Sequence, residues 1–275
     1  MKSKIVLFLK DSPKALSTAE EVQRFLTSRG FQVTKIVNRP RGRYSLNIKG
    51  YRLMVVVGGD GTFLAGARLA SRFGVPVLGI NEGRFGFLTE VEREEAPRVI
   101  EDILAGRVPE QKRIMLSTYL IREGKRKFLG DYLNDVVITK SAIARITEIE
   151  VFANNRFMAH IYGDGVILST PTGSTAYALS AGGPIIYPDS DSILFVPICP
   201  HTLSNRPVVL PSSFWVRFRV LSSDKACFLT MDGQEGLYLK RGDIVEVGKS
   251  RRACRIYTHP HKDFFEVLRK KLRWG

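Results

Sequence analysis

Three glycine-rich stretches carry the residue types that phosphate chemistry needs. The first is Gly58-Gly59-Asp60-Gly61-Thr62, directly behind the apolar run 53–57. Glycines between a buried strand and a helix let main chain come close to a ligand, because glycine has no Cβ and tolerates positive φ. The start of the helix would offer N–H groups and a positive dipole end to an anion. The run is not a Walker A loop, because no Gly-Lys-Ser/Thr follows. It is not the dinucleotide fingerprint either, because the spacing after Gly61 fails. Asp60 is the informative residue. A carboxylate beside phosphates repels them unless it holds a metal ion or accepts a proton, and both roles belong to phosphoryl transfer. The plainer alternative is a tight turn in which Asp60 or Thr62 caps the helix.

The second stretch is 79–89, GINEGRFGFLT. It also follows an apolar strand, so it is expected at the same sheet edge as the first. Phe85 and Phe87 flank Gly86, an arrangement that can present a ring to a flat base, although both rings could instead be core. The third is 163–180, GDGVILSTPTGSTAYALS. Its hydroxyls and helix-start amides suit sugar hydroxyls or phosphate. The alternative is a helix capped by Ser174 or Thr175.

The elements that must hold these loops fall into two textures. Up to about residue 106, apolar runs at 5–9, 31–37, 53–57 and 75–80 alternate with helical patterns over 14–29, 63–73 and 94–104. Such alternation predicts a parallel sheet covered by helices, with ligands outside the carboxyl ends of the strands. From about residue 107 the runs are short and β-rich: 114–121, 127–139, 146–151, 157–162, 166–169, 215–221, 228–231 and 243–247, separated by turn residues. Only 175–181 and 262–272 read as helical there. The fold expected is an α/β N-terminal domain with a Rossmann-like parallel sheet over 1–106, plus a β-rich C-terminal domain over 107–255.

The chain has 275 residues, with 44% hydrophobic and 25% charged, which excludes a disordered or collagen-like chain. Lys plus Arg number 42 against 27 Asp plus Glu, a formal charge of +15, so a polyanionic ligand is expected. The sequence lacks a basic helix, an RNP-type aromatic motif and a helix-turn-helix pattern, so no nucleic acid is expected as partner. Arg39, Arg41, Arg43 and Lys49 lie in the polar stretch 38–50, read as a solvated loop with a lid over phosphates as the alternative. Cys199, Cys227 and Cys254 form no CxxC pair and no zinc spacing, which points to reduced thiols. The apolar run 5–9 is too short for a signal peptide, and no run approaches the ~18 residues that span a bilayer. The expectation is a cytoplasmic protein with no membrane partner.

Taken together, 58–62 (GGDGT), 81–89 (NEGRFGFLT), 133–136 (LNDV), 163–180 (GDG…TPTGSTAYALS) and 232–234 (DGQ) resemble the NAD kinase family in order and spacing along nearly the whole chain. Lipid kinases of the diacylglycerol type share a GGDGT loop and are the alternative, but they leave 81–89 and 170–180 without a use. The resemblance implies transfer of a phosphoryl group from ATP, or from polyphosphate, to the adenosine 2′-hydroxyl of NAD. It implies magnesium or another divalent metal. It implies a homodimer or homotetramer with the site shared between subunits, and a C-terminal segment, 256–275, that packs back on the first domain.

The family's roles then fall on particular positions. Asp60 looks like the proton acceptor. Gly58, Gly59, Gly61 and Thr62 would line the phosphates. Phe87 would line the adenine pocket. Asn134 and Asp135 match an Asn-Glu pair that binds the adenosine ribose, with Asp135 one methylene shorter. Arg145 matches a basic position facing the dinucleotide phosphates. Tyr162 and Gln234 match further dinucleotide contacts, and Asp164 the residue holding the nicotinamide side. Thr175, Ala176, Tyr177, Ala178, Leu179 and Ser180 would wall adenine and ribose. No metal ligands are assigned.

Overall fold

The computed structural model describes residues 3–39, 44, 46–83, 86–141, 146–202, 204–223 and 225–273. Arg41, Arg43, Phe85 and Arg145 therefore lie outside the described residues. In chain order the elements are β1 (Lys4–Lys10), α1 (Pro13–Ser28), β2 (Gln32–Asn38), β3 (Leu53–Gly58), α2 (Asp60–Ser71), β4 (Val77–Asn81), α3 (Ala96–Leu104), β5 (Gln111–Arg122), β6 (Lys125–Tyr132), β7 (Asp135–Lys140), β8 (Thr147–Ala153), β9 (Arg156–Gly163) and β10 (Gly165–Ser169). A single 3₁₀ turn (Thr172–Thr175) leads into α4 (Tyr177–Ser180), followed by β11 (Ser192–Ile198), β12 (Val208–Pro211), β13 (Val216–Val220), β14 (Cys227–Met231), β15 (Glu235–Tyr238), β16 (Ile244–Tyr257) and α5 (Phe264–Leu272). Two units result: Met1–Lys112 with Ala253–Gly275, and Arg113–Arg252. Among the described residues no helix is long and apolar enough to cross a membrane.

The first unit is built on parallel strands in the order β2-β1-β3-β4, with the end of β16 pairing in parallel with β4. Ile5 through Leu9 and Leu53 through Val57 are fully buried, as strands covered by helices on both faces must be. Helix α1 starts where Ser12 accepts from Ala15 N at 3.3 Å with Pro13 next in line. Its stripe of Ala15, Ala19, Val22 and Leu26 is buried, and it stops at Gly30, whose φ of 83° needs glycine. The register that matters for chemistry is β3 against β4, where Val57 lies beside Ile80 and Gly58 beside Asn81. The first two glycine-rich stretches thus leave from the carboxyl ends of neighbouring parallel strands.

The second unit contains a six-stranded antiparallel sheet, β12-β11-β10-β7-β14-β15. Its residues alternate strictly. Val136, Ile138, Val166, Leu168, Ile193 and Phe195 face a core shared with Ile149 and Val151 of β8, Phe218 of β13 and Val245 of β16. Val137, Ile167, Leu194 and Val196 face the other way, onto Ala178 and Ile186. The sheet's central strands β7, β10 and β11 are buried on both sides, which explains their unbroken apolar runs.

Some expected boundaries move. The run 127–139 is two strands, broken at Leu133-Asn134. Strand β11 was not among the expected strands, and its Pro197 is unusual in a central strand. It is tolerated because the partner β12 pairs only as far as Phe195. Strand β16 extends ten residues beyond the expected 247, to Tyr257.

Gly66 in α2 faces the sheet at a spot where a Cβ would stand 2.8 Å from Val56 Cγ2 and 3.2 Å from the Phe8 ring. In an exposed helix Gly→Ala stabilises. Here Gly66→Ala is expected to destabilise by about 1–3 kcal/mol, because the helix is forced off its bed. Denaturant unfolding checks the sign, and a stabilised variant would refute the close-contact argument.

Candidate active site

Asp60 opens α2, with Gly59 as N-cap. The helix starts three residues earlier than expected. Thr62 N and Phe63 N donate to the Gly59 carbonyl at 2.9 and 3.0 Å, so Asp60-Gly61-Thr62 is itself the first turn. Gly58 backs onto that turn, since a Cβ there would stand 2.8 Å from the Thr62 Cβ. A carboxylate in this position interacts favourably with the helix dipole.

The second stretch holds that carboxylate. Phe87 N donates to Asp60 Oδ2 at 3.0 Å, and Leu88 N and the Thr89 hydroxyl donate to Oδ1 at 3.0 and 3.2 Å. Gly86 makes the approach possible, because a Cβ there would lie 2.1 Å from Asp60 Oδ1. Gly79 does the same for the far end of the loop, where a Cβ would lie 2.4 Å from the Leu88 carbonyl. Asn81 Nδ2 donates to the Thr89 hydroxyl at 3.2 Å, and its Oδ1 accepts from Gly83 N at 2.8 Å. An amide, a hydroxyl and a carboxylate thus form one chain of hydrogen bonds. Phe87 is half-buried and contributes its main chain to Asp60 whatever its ring contacts. Next to Asn81, both Glu82 carboxylate oxygens are buried without a partner.

In the second unit the break between β6 and β7 forms a corner, Leu133-Asn134-Asp135. Its carbonyls are taken by the third stretch: Thr170 N donates to Asn134 O at 2.8 Å, and the Thr170 hydroxyl to Leu133 O at 2.6 Å. Gly173 is obligatory here, since a Cβ would lie 2.2 Å from Asn134 O. The corner's amides are taken by Asp232. Leu133 N donates to Asp232 Oδ2 at 3.2 Å, and Asn134 N and Asp135 N donate to Oδ1 at 2.8 and 3.3 Å. With its main chain engaged, Asn134 keeps a buried side-chain oxygen, Oδ1, that has no partner, and Thr172 a hydroxyl in the same state. Buried polar groups are normally satisfied, so atoms left open in one loop cluster suit a polar ligand.

Asp135 is buried, 5% exposed. Burial, with the Asp232 charge beside it, pushes its carboxyl up from the ordinary 3.8 to about 7.

The other expected residues are placed as follows. Thr175 closes the 3₁₀ turn, its hydroxyl donating to Thr172 O at 3.4 Å. Ala176 is half-buried between that turn and α4, whose Ala178 is buried in the core and Tyr177 and Ser180 exposed, with Leu179 half-buried. Ser174 is structural, its hydroxyl donating to Pro171 O at 2.7 Å and accepting from Ile186 N at 3.0 Å. Tyr162, near the end of β9, stands edge-on to His201 with centroids 5.3 Å apart. Asp164 pairs with Lys140 at 2.8 Å, a partner that sequence reasoning missed. Gln234 ends the Asp232-Gly233 turn, its N–H donating to Met231 O at 3.0 Å. Sequence reasoning also missed Asp232, Thr170, Gly86 and Thr89 as supporting groups. An Asp-Gly pair between two strands was a readable turn signal, but not what its carboxylate would hold.

Asp135 yields a prediction. Its raised pKa makes the folded state bind a proton that the unfolded state releases at lower pH. Its contribution is complete below about pH 3.8, erodes as pH rises, and is lost above about pH 7. Asp135→Asn removes the titration. Its stability relative to the parent chain should therefore rise between about pH 4 and pH 7 and level off above. Denaturant unfolding across that range is the check, and a difference that does not change with pH would refute the burial argument.

The profile of the ATP-NAD kinase N-terminal domain matches residues 44–108, and that of the ATP-NAD kinase C-terminal domain residues 133–259. An NAD kinase of Aquifex aeolicus is 56% identical over 272 residues, covering 99% of each chain. One from Citrifermentans bemidjiense is 42% identical over 284 residues, again covering 99% of each. Among solved structures, yeast NADH kinase complexed with NADH superposes with a TM-score of 0.89 at 24% identity, covering 100% of this chain and 88% of that one. An NAD kinase from Archaeoglobus fulgidus in complex with ATP gives 0.80 at 22% identity, covering 98% and 100%. These last two establish likeness of fold. Nothing in the matches favours the lipid kinase alternative. The chain belongs to the NAD kinase family, enzymes that phosphorylate NAD.

Proposed function

We propose that the chain transfers the γ-phosphoryl group of ATP to the adenosine 2′-hydroxyl of NAD with Asp60 as general base. The carrying observation is the Asp60 carboxylate, fixed at the start of α2 by Phe87 N, Leu88 N and the Thr89 hydroxyl. A secondary hydroxyl is a weak nucleophile until a base takes its proton as attack proceeds. Each carboxylate oxygen can accept more than one hydrogen bond, so Oδ2, which takes the Phe87 amide, has room for that proton. Gly58, Gly59, Gly61 and Thr62 lie against the phosphates. Positioning and electrostatic stabilisation, rather than covalent chemistry, carry the rest of the rate enhancement.

Recognition of NAD is assigned to the second unit. Asn134 Oδ1, buried and open, accepts from a ribose hydroxyl, and Asp135, with a pKa of about 7, can donate or accept beside it. Thr175 through Ser180 border adenine and ribose. Tyr162, Asp164 and Gln234 contact the rest of the dinucleotide, and Arg145 answers its phosphates. ATP is the donor proposed, in line with the Archaeoglobus structure in complex with ATP, with polyphosphate as the second donor to try. NAD itself is the proposed acceptor, and the yeast enzyme's complex with NADH makes the reduced form the next to assay.

A divalent ion, when bound with the donor, would neutralise charge on its phosphates. Among the described residues no group of three or more His, Cys, Asp or Glu could hold a metal by itself. That suits magnesium, which keeps several waters and takes one or two carboxylates plus substrate phosphates. Asp60 and the unpartnered Glu82 are the carboxylates at this sheet edge that fit such a role. We further propose a homodimer or homotetramer sharing the site. Reduced thiols at Cys199, Cys227 and Cys254 would fit a cytoplasmic location.

The test is a coupled assay: purified protein with NAD, ATP and magnesium, NADP being read by an NADP-specific dehydrogenase. Asp60→Asn should lower kcat by about 10²–10⁴. Wild-type turnover in that variant would remove Asp60 from the role of base. Gly86→Ala should stay folded but displace the carboxylate and lower kcat by about 10- to 100-fold. If its turnover is unchanged, the close packing at Asp60 has no bearing on rate.

A further inference from the structure

Asp232 has no ligand role in the reading above, yet it is the residue on which the Asn134 corner rests. It is buried, 6% exposed, in the turn between β14 and β15. Its φ is 50° and that of Gly233 is 64°, so the pair forms a tight left-handed turn. Aspartate tolerates that conformation better than most residues with a side chain. The turn is fastened to the corner twice. Asp232 N donates to the Asp135 carbonyl at 3.0 Å, and the Asp232 carboxylate accepts the successive amides of Leu133, Asn134 and Asp135 at 3.2, 2.8 and 3.3 Å.

A carboxylate collecting consecutive main-chain N–H groups fixes all of them at once, and charge-assisted bonds of this kind are stronger than neutral ones. On the opposite side, the Thr170 hydroxyl and amide hold the carbonyls of Leu133 and Asn134. The corner is therefore clamped from both sides, and Asn134 Oδ1 is left buried and open. Burying a second carboxylate next to Asp135 is electrostatically unfavourable. A neutral turn residue would avoid that cost, so a role that needs this carboxylate is the natural account of it.

We infer that Asp232 is a positioning residue for the NAD site: its carboxylate sets the Leu133–Asp135 corner so that the Asn134 side chain meets the adenosine ribose. The inference rests on the ribose reading of Asn134, and the experiment separates the two. Asp232→Asn retains the turn preference and one acceptor oxygen but loses the charge. Dissociation constants for NAD are measured by calorimetric titration for the parent chain, Asp232→Asn, Asn134→Ala and the double variant, with KM for ATP and thermal unfolding beside them.

Asn134→Ala should weaken NAD about tenfold or more. Asp232→Asn should weaken NAD by a similar factor, with KM for ATP within about twofold of the parent. In the double variant the Asp232 change should add little, because it acts through Asn134. Unchanged NAD binding in Asn134→Ala would remove the ribose reading and this inference with it. A weakened Asn134→Ala beside an unaffected Asp232→Asn would overturn this inference alone. A lowered Tm with unchanged NAD affinity, or losses that simply multiply, would make Asp232 merely structural. Should Asp232→Asn fail to fold, Asp232→Glu decides. It keeps the charge but displaces the corner, so NAD affinity equal to the parent's would overturn the proposal.

Discussion

The first unit's candidate site is built on one carboxylate held by main chain that belongs to a different loop. Asp60 lies at the beginning of α2, and the amides of Phe87 and Leu88 reach it from beyond β4. The contact exists because β3 and β4 are parallel neighbours in register at Gly58 and Asn81. Antiparallel strands would send the two loops to opposite edges. The parallel sheet and its helical covering are thus the condition for this contact, and the glycines are its consequence. Gly86 and Gly79 are fixed by clearance to Asp60 and to the Leu88 carbonyl, where there is no room for a methyl group.

The second unit solves a similar problem with antiparallel strands. The central strands of the six-stranded sheet are buried on both faces, so open main-chain groups are confined to where the chain enters or leaves it. The corner between β6, which pairs in the other sheet, and β7 offers amides and carbonyls together, and each set finds a partner: Asp232 for the former, Thr170 for the latter. In both units a carboxylate gathers neighbouring N–H groups of another segment, Phe87-Leu88 in one and Leu133-Asn134-Asp135 in the other. The device suits rigid sites, since a single side chain fixes several main-chain torsions without adding bulk.

Much of this was legible in the sequence, for identifiable reasons. Strands buried on both faces read as apolar runs, so 5–9 and 53–57 were unmistakable. Glycine-rich runs behind such strands marked the loops. The break at Leu133-Asn134 was hidden because the pattern of β6 continues into β7 without a glycine or proline between them. Strand β11 was not among the runs read as strands; the tolerance of its Pro197 depends on where β12 ends, a fact of pairing and not of local sequence. Asp60 could be picked out because a carboxylate among glycines is unusual. Its partners could not, because main-chain amides have no residue type. Asp232 stood out only as part of the 232–234 motif, because what it holds lies about a hundred positions away in the chain.

The polar atoms left open near these loops follow from the same construction. An unsatisfied buried donor or acceptor costs of order 1–3 kcal/mol. Asn134 Oδ1 and Thr172 Oγ1 are buried groups of this kind, and the Glu82 carboxylate oxygens, where charged, cost more. They cannot relax by turning to main chain, because their neighbours' carbonyls and amides are already engaged, by Thr170 and Asp232 at the corner and by Gly58, whose carbonyl takes Glu82 N, at the sheet edge. Rigidity at the supporting residues therefore keeps the open atoms open. A ligand that supplies the missing partners recovers the cost without first having to order the site. That is a physical reason for clamping a corner from both sides when a single hydrogen bond would suffice to close the turn.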